Sequence, residues 1–257
     1  LDRAVDRCEL RVVYQPIVDL PTGRMSGVEA LVRWQHPELG LLYPDTFISI
    51  AEETGRIGEV DRWVMAEGLK QLERWDAEAG RSLGLSLSVN CSARDLHEPH
   101  FADQVRTLLA QGPDRAGRLV IEITESLPVD GPLRAVAVLE ALHAEGVRFA
   151  MDDFGTGYSS LSVIHALPVD TVKIDRAFVQ RMDEDEAARE MVRTVIGFAR
   201  TLGTDIVAEG IETAEQRDAL VEMGCDWGQG YLFDRPLPPS EISARIRAEA
   251  PPPAAAD

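Results

Sequence analysis

Side chains able to hold a metal ion or move a proton recur along this chain, most of them at the end of a short apolar run. Glu29 and Arg33 stand in the run Val28 to Trp34, and Asn90 closes Leu85-Ser86-Leu87-Ser88-Val89. Glu122 follows Leu119-Val120-Ile121, with Glu125 just beyond, and Asp152-Asp153 follow Phe149-Ala150-Met151. Lys173 and Asp175 end another run. Glu209 follows Ile206-Val207-Ala208 with Glu212 close behind, and Gln229 ends the last. Carboxylates crowded into one mouth repel each other and take up protons unless cations or internal Lys and Arg hold them. Lys173 and Arg33 are the local positive partners, so hard divalent cations are the better counter-charge. Mg²⁺ and Mn²⁺ choose carboxylate, carbonyl and water oxygens. The adjacent pair Asp152-Asp153 suits two ions, one carboxylate bridging while its neighbour serves the second. Two metals about 3.5–4 Å apart activate a water and stabilise the leaving oxygen of a phosphodiester. The histidines (His36, His97, His100, His143, His165) fall in expected helices or loops, which argues against zinc or a facial-triad iron site.

Taken one at a time, these residues have simpler roles. Asp152 or Asp153 can cap a turn, Glu209 and Glu212 can open a helix, Lys173 can be a buried ion-pair partner, and Asn90 can hold a turn. Their joint occurrence at successive run ends is what favours a site. Gly155-Thr156-Gly157-Tyr158-Ser159-Ser160 lacks a third glycine and a Gly-Lys-Ser, so it reads as a lid rather than a phosphate cradle. Asp183-Glu184-Asp185-Glu186 reads as a solvated helix start, and the tryptophans as packing or groove residues.

The elements that would carry these residues begin with two strands, 10–19 and 25–34, joined by Pro21-Thr22-Gly23. So short a link permits a hairpin but no parallel crossover. Helical spacing follows over 45–53 and 59–79. Strands are then expected at 83–90, 119–124, 147–152, 169–175, 205–209 and 225–230. The helices between and after them are 97–109, 133–145, 186–202, 213–223 and 240–249. Gly146, Gly203 and Gly224 sit where helices should stop. Strands alternating with helices indicate parallel pairing. The natural closure is an α/β barrel of the TIM-like (β/α)8 type with its first strand antiparallel to the others, which gathers the run ends at one rim. An open doubly wound sheet is the other arrangement the pattern allows.

Composition sets outer bounds. The 257 residues are 45% hydrophobic and carry a formal charge of −18, a globular and acidic chain. That charge disfavours duplex nucleic acid and anionic membrane surfaces, both of which ask for clustered Lys and Arg. Cys8, Cys91 and Cys225 are far apart with no metal-ligand spacing, so reduced thiols in a cytoplasmic setting are expected. No apolar run approaches the roughly 20 residues of a membrane span. Residues 1–250 read as one domain cut from a longer protein, although parts absent here are free to be membrane-anchored, and 251–257 as a disordered tail.

The motif series resembles the EAL domain family, bacterial phosphodiesterases of cyclic di-GMP. Glu29-Ala30-Leu31 within Gly27 to Trp34 is the signature, and the likeness runs from about residue 8 to 245. It includes Val13-Tyr14-Gln15-Pro16-Ile17-Val18, Ala51-Glu52-Glu53-Thr54-Gly55, Ser88-Val89-Asn90 and Ile121-Glu122-Ile123-Thr124-Glu125. It continues through Asp152 to Leu161, Val172-Lys173-Ile174-Asp175, Ala208 to Thr213 and Gly228 to Phe233. The resemblance implies a barrel with a two-metal site that opens one phosphodiester bond to give linear pGpG. It implies Glu29, Asn90, Glu122, Asp152, Asp153 and Glu209 as ligands for two Mg²⁺ or Mn²⁺ ions. Lys173 would contact the attacking water and Glu209 would be a candidate general base. Gln15, Leu31, Arg33, Asp175 and Gln229 are implied as substrate contacts. Glu125 and Glu212 are implied as supports of a lid over 153–161, which in the family reaches a homodimer interface. An upstream GGDEF or sensory domain is a common companion. Three departures from the family pattern stand out: Cys91 for an aliphatic residue, Asp95 for a glutamine, and Ser49-Ile50 for Pro-Leu. Two other functions compete: a silent cyclic di-GMP receptor, and a one-metal barrel in which Lys173 removes a proton beside a carboxylate.

Overall fold

The computed structural model describes residues 4–92, 94–124, 132–155 and 167–249. Strands β1 (Leu10–Asp19) and β2 (Met25–His36) form the expected antiparallel hairpin. Asp19 fixes its turn by accepting from the backbone N–H of Thr22 at 2.8 Å. A strand absent from the sequence reading, β3 (Gly40–Leu42), adds antiparallel to the far end of β2. Then follow β4 (Ser86–Asn90), β5 (Leu119–Thr124), β6 (Arg148–Phe154), β7 (Thr171–Ile174), β8 (Asp205–Ala208) and β9 (Trp227–Gly228). These strands pair in parallel from β2 through β4 to β9. β1 closes the ring between β9 and β2, antiparallel to both. The result is the eight-stranded barrel with a reversed first strand, β3 lying outside the ring; the open sheet is excluded.

Helices cover the outside: α1 (Pro44–Glu53), α2 (Ile57–Ala79), α3 (Phe101–Leu109), α4 (Arg115–Arg118) and α5 (Pro132–Ala144). After them come α6 (Arg176–Arg181), α7 (Glu186–Leu202), α8 (Ala214–Met223) and α9 (Pro239–Glu249). The helix expected from residue 97 starts instead at Phe101, because Asp95–His97 forms a separate 3-10 turn and Pro99 intervenes. The short α4 and α6 lack the length for a readable period, and β9 spans two residues rather than six. Helix ends follow local chemistry. Asp185 accepts from the N–H groups of Ala187 and Ala188 to start α7, and Thr213 with Gln216 forms a capping box on α8. Gly203 and Gly224 take left-handed conformations where those helices stop.

Side chains alternate across a strand, and the two phases here differ sharply. Leu87 and Val89, Ile121 and Ile123, Phe149 and Met151, Val172 and Ile174, and Ile206 and Ala208 are buried in the apolar core. That phase faces the helices; α2, for example, lays Val64, Leu69, Leu72 and Trp75 into the core, and Gly68 lets Leu87 approach it closely. The other phase, Ser86 and Ser88, Glu122, Arg148, Thr171 and Lys173, lines an inner cavity of about 260 Å³. The main apolar core therefore lies between sheet and helices, and the ring's interior mixes these polar groups with Ile17, Val120, Ala150 and Val207. Among the described residues no helix is long and apolar enough to cross a membrane.

Candidate active site

The inward phase continues past the strand ends into a rim of acids and amides. Register brings them together. Gln15 lies opposite Glu29 across β1 and β2, Glu29 opposite Ser88, and Asn90 opposite Glu122. One residue pair further along the ring, Thr124 lies opposite Asp152. Lys173 pairs with Val207, two residues before Glu209, and Gly228 pairs with Ala208, which puts Gln229 beside Glu209.

Asp152 and Asp153 are neighbours and would face opposite sides of a regular strand. The ladder between β6 and β7 slips between Met151 and Phe154, and Asp153 has φ +54°. This bulge in the left-handed region turns both acids to the same rim. Asp152, Asp153 and Glu209 each bring a carboxylate oxygen within 4.8 Å of the other two.

Lys173, 2% exposed, is the electrostatic centre. Its Nζ donates to Glu122 Oε2 at 2.6 Å and sits 2.7 Å from Glu209 Oε1 and 3.1 Å from Asp152 Oδ1. Burial opposes its charge, but Glu122, Glu209, Glu29 and Asp152 outweigh burial and raise its pKa well above the ordinary lysine value. Glu29 is held by two amides: Asn90 Nδ2 donates to Oε1 at 2.9 Å and Gln229 Nε2 to Oε2 at 2.7 Å. Gln229 Nε2 also lies 3.2 Å from Glu209 Oε1. Arg33, expected to help neutralise the rim, makes no ion pair among the described residues. Its Nη1 donates to the Val32 carbonyl at 2.8 Å, and its guanidinium stacks 5.0 Å from the Tyr43 ring centre.

One buried ammonium thus faces Glu29, Glu122, Asp152, Asp153 and Glu209. Burial first, then neighbouring carboxylates, push Glu122 well above the usual range. Glu209 rises to about 7, burial outweighing the opposing pull of Lys173. Asp153 rises to about 6 through burial, then Asp152, then a hydrogen bond shared with Asp175. Glu122 Oε1 and Gln229 Oε1 are buried and meet no hydrogen-bond donor among the described residues. An all-oxygen rim with surplus negative charge and orphaned acceptors fits a hard divalent cation.

The rim opens into a cavity of about 690 Å³. Of the expected site residues, Gln15, Glu29, Leu31, Arg33, Asp152, Asp153, Asp175, Glu209, Glu212 and Gln229 line it. Asn90, Glu122 and Lys173 reach the same rim through the bonds above. Gln15 Nε2 donates to the Asp234 carbonyl at 3.2 Å, and Asp175 caps α6 by accepting from the Ala177 N–H at 2.8 Å. Glu212 accepts from Gln180 Nε2 at 2.8 Å. Glu125, the lid beyond Gly155, and the tail 251–257 lie outside the described residues. The cavity wall also contains Tyr43, Asp45, Arg176, Gln180 and Tyr231, to which the sequence reading assigned no role. Tyr231 stood inside the quoted Gly228 to Phe233 motif, which was a usable signal. Tyr43 follows β3, whose three residues left none.

The EAL domain family model matches residues 1–236. This chain belongs to the EAL domain family. The EAL domain is 38% identical over 246 residues to the Pseudomonas aeruginosa bifunctional diguanylate cyclase/cyclic di-GMP phosphodiesterase MucR, covering 96% of this chain and 36% of that protein. It is 39% identical over 248 residues to the cyclic di-GMP phosphodiesterase NbdA of the same organism, covering 96% of this chain and 31% of NbdA. The chain thus spans well under half the length of these relatives. The solved structure of the PaMucR phosphodiesterase in complex with c-di-GMP superposes with a TM-score of 0.87 at 38% identity, covering 94% of this chain and 97% of that one.

Proposed function

We propose that this EAL domain hydrolyses one phosphodiester bond of cyclic di-GMP to give linear pGpG, using Mg²⁺ or Mn²⁺, two ions per site. The observation that carries this reading is the rim of five carboxylates around one buried lysine. It stands at the strand ends of a barrel and opens into a cavity whose size suits a dinucleotide-sized ligand. The names of MucR, NbdA and the c-di-GMP complex of PaMucR agree with it.

Glu29, Asn90, Glu122, Asp152, Asp153 and Glu209 would hold the ions. When bound, divalent ions neutralise phosphoryl charge and make water a better nucleophile. The chain's own groups do the rest. Lys173 stays an ammonium whose three donors keep Glu122, Asp152 and Glu209 at fixed positions, and it would reach the attacking water by yielding one of these three bonds. Glu209, whose carboxyl burial raises to about 7 when no ion is bound, is the candidate general base. Arg33 and Arg176 offer positive charge to the phosphates. Tyr43 and Tyr231 offer aromatic faces to the bases, and Gln15, Leu31, Asp175 and Gln229 line the floor and wall against the ligand. Glu212, with Glu125, would steady the lid over 153–161.

The same proposal extends to a cytoplasmic setting, to a homodimer, and to a cyclase-type or sensory domain in the same polypeptide. The bifunctional name of MucR supports the last. The deciding experiment incubates purified protein with cyclic di-GMP and Mg²⁺, Mn²⁺ or Ca²⁺ and follows linear product. Turnover with Mg²⁺ or Mn²⁺, lost in Glu29→Ala and Asp152→Ala, supports the reading. Tight binding without product would make the domain a receptor, and unimpaired variants would refute the site. Size-exclusion chromatography with light scattering tests the dimer.

A further inference from the structure

Two of the departures from the family pattern, Cys91 and Asp95, end at one spot. Alternation sends Asn90 to the rim and the next residue, Cys91, to the helix side of β4. There it meets Asp61 from α2 and Asp95 from the 3-10 turn. One ligand atom from each of Asp61, Cys91 and Asp95 lies within 4.8 Å of the others. All three residues are buried, Asp95 to 3% exposure.

The surroundings leave this cluster under-compensated. Asp61 Oδ2 accepts the Ser92 N–H at 3.0 Å. Asp95 Oδ2 is fully buried and meets no hydrogen-bond donor among the described residues. Arg62 and Arg94 influence the acids through space, yet neither forms an ion pair with them among the described residues. Burial foremost raises the pKa of both acids, which share a side-chain hydrogen bond with each other. Buried carboxylates this close need a proton or a cation between them. A shared proton between the acids, with the Cys91 thiol donating to the Ser92 carbonyl at 3.6 Å, still leaves Asp95 Oδ2 without a donor, whereas a cation would engage a ligand atom from all three side chains.

A cavity of about 560 Å³ adjoins the catalytic one, sharing Leu31, Pro44, Asp45 and Asp153 with it, and has Asp61 and Cys91 in its wall. We propose that Asp61, Cys91 and Asp95 form a third metal site, for a borderline ion of the Zn²⁺ or Co²⁺ type, with its fourth position toward this cavity. A thiolate beside two carboxylates selects against Mg²⁺ and Ca²⁺, which take oxygen alone. Three protein ligands with one open position is a familiar zinc arrangement. Bonds of about 2.0–2.3 Å set tetrahedral ligand atoms roughly 3.5 Å apart, so the side chains close inward by roughly 1 Å. The bound ion would brace the turn from Asn90 to Ser92, which presents Asn90 to Glu29.

The test strips the full chain with a chelator and titrates it with Co²⁺. A thiolate ligand gives cobalt a near-ultraviolet charge-transfer absorption that oxygen ligands do not. The band should appear in the wild-type protein, in Cys8→Ser and in Asp152→Asn, which alters the catalytic rim only. It should be lost in Cys91→Val and in Asp95→Gln. Both substitutions install residue types the family pattern expects, and turnover of cyclic di-GMP with Mg²⁺ should stay within about twofold. Should Cys91→Val not fold, Asp95→Gln keeps the thiol and decides alone. A wild-type protein with no such band, a band that survives Cys91→Val and Asp95→Gln, or one lost in Asp152→Asn would overturn the proposal. None of these results bears on whether the catalytic rim hydrolyses cyclic di-GMP.

Discussion

Replacing Glu209 with glutamine should stabilise the metal-free protein, and the gain should grow with pH. The Glu209 carboxyl moves from 4.5 to about 7, chiefly through burial, with Asp152 and Glu29 adding and Lys173 opposing. A carboxyl whose folded pKa is raised holds its proton more tightly in the folded state. Its contribution is fully present below the unfolded value and is lost as pH rises through the folded one. At about 1.4 kcal/mol per pKa unit, ionised Glu209 costs the fold roughly 3 kcal/mol at pH 8. Glutamine has a similar shape and no proton to lose. In EDTA the two proteins should therefore be equally stable near pH 4.5, and Glu209→Gln should lead by ~3 kcal/mol near pH 8. Asp185 and Glu73, whose carboxyls are held below the usual range by backbone N–H groups and by Arg115 respectively, titrate alike in both proteins and cancel. The assay is urea unfolding across this pH range in EDTA, repeated with saturating Mg²⁺. The cation should erase the lead, because it takes the proton's place and the wild-type protein offers it the stronger ligand. A lead that is flat with pH in EDTA, or a variant less stable than wild type near pH 8, would refute the electrostatic account of the rim.

Other consequences follow from the same geometry. Lys173→Met leaves Glu122, Asp152 and Glu209 without their ammonium. It should cost ~3–5 kcal/mol in EDTA near neutral pH and abolish product formation, with Mg²⁺ restoring part of the stability and none of the turnover. Gly230→Ala would put a Cβ 2.1 Å from the Ile211 carbonyl oxygen and 2.2 Å from its nitrogen, so the strand end carrying Gln229 must shift. We expect a loss of about 3 kcal/mol in urea unfolding and a fall in kcat. Tyr231→Ala removes a half-exposed ring stacked 4.2 Å from the Arg235 guanidinium at the cavity mouth. Steady-state kinetics should show KM for cyclic di-GMP rising about tenfold with kcat little changed, the signature of lost base stacking.

Much of this site was legible before any coordinates. In Leu85 to Val89 the alternation of leucine and valine with serine already separates a helix-facing phase from an inward one. Asn90 falls in the inward phase by counting. The same counting puts Glu122, Asp152, Lys173, Glu209 and Gln229 on one side of their strands. Three things were not legible. Strand β3 is three residues long and carries no period, so Tyr43 went unnoticed. Arg33 shares a strand with Glu29, but four residues further along, its guanidinium turns to the Val32 carbonyl and Tyr43 instead of pairing with the rim acids. The meeting of Asp61, Cys91 and Asp95 joins a helix, a strand end and a 3-10 turn, and no local pattern encodes such a crossing.

Asp153 shows what the alternation rule does and does not control. The inward acids owe their aim to the opposite phase: burying Leu87, Ile121, Phe149, Val172 and Ile206 under the helices leaves their alternates nowhere to point but inward. Apolar burial thus sets the direction of charged groups it never touches, and it does so without any attraction among them. A second carboxylate from adjacent positions of one strand is beyond that rule, since neighbours must diverge. The bulge after Met151 and the left-handed backbone at Asp153 break the rule at a single point. Aspartate tolerates this backbone region better than most residues, and here a hydrogen bond shared with Asp175 accompanies a like charge from Asp152 that raises the pKa of Asp153. Divalent ions held by Asp152 and Asp153, as proposed, would offset that repulsion. The bulge is thus what lets two adjacent acids serve one rim, a backbone feature that stands apart from the identities of the acids.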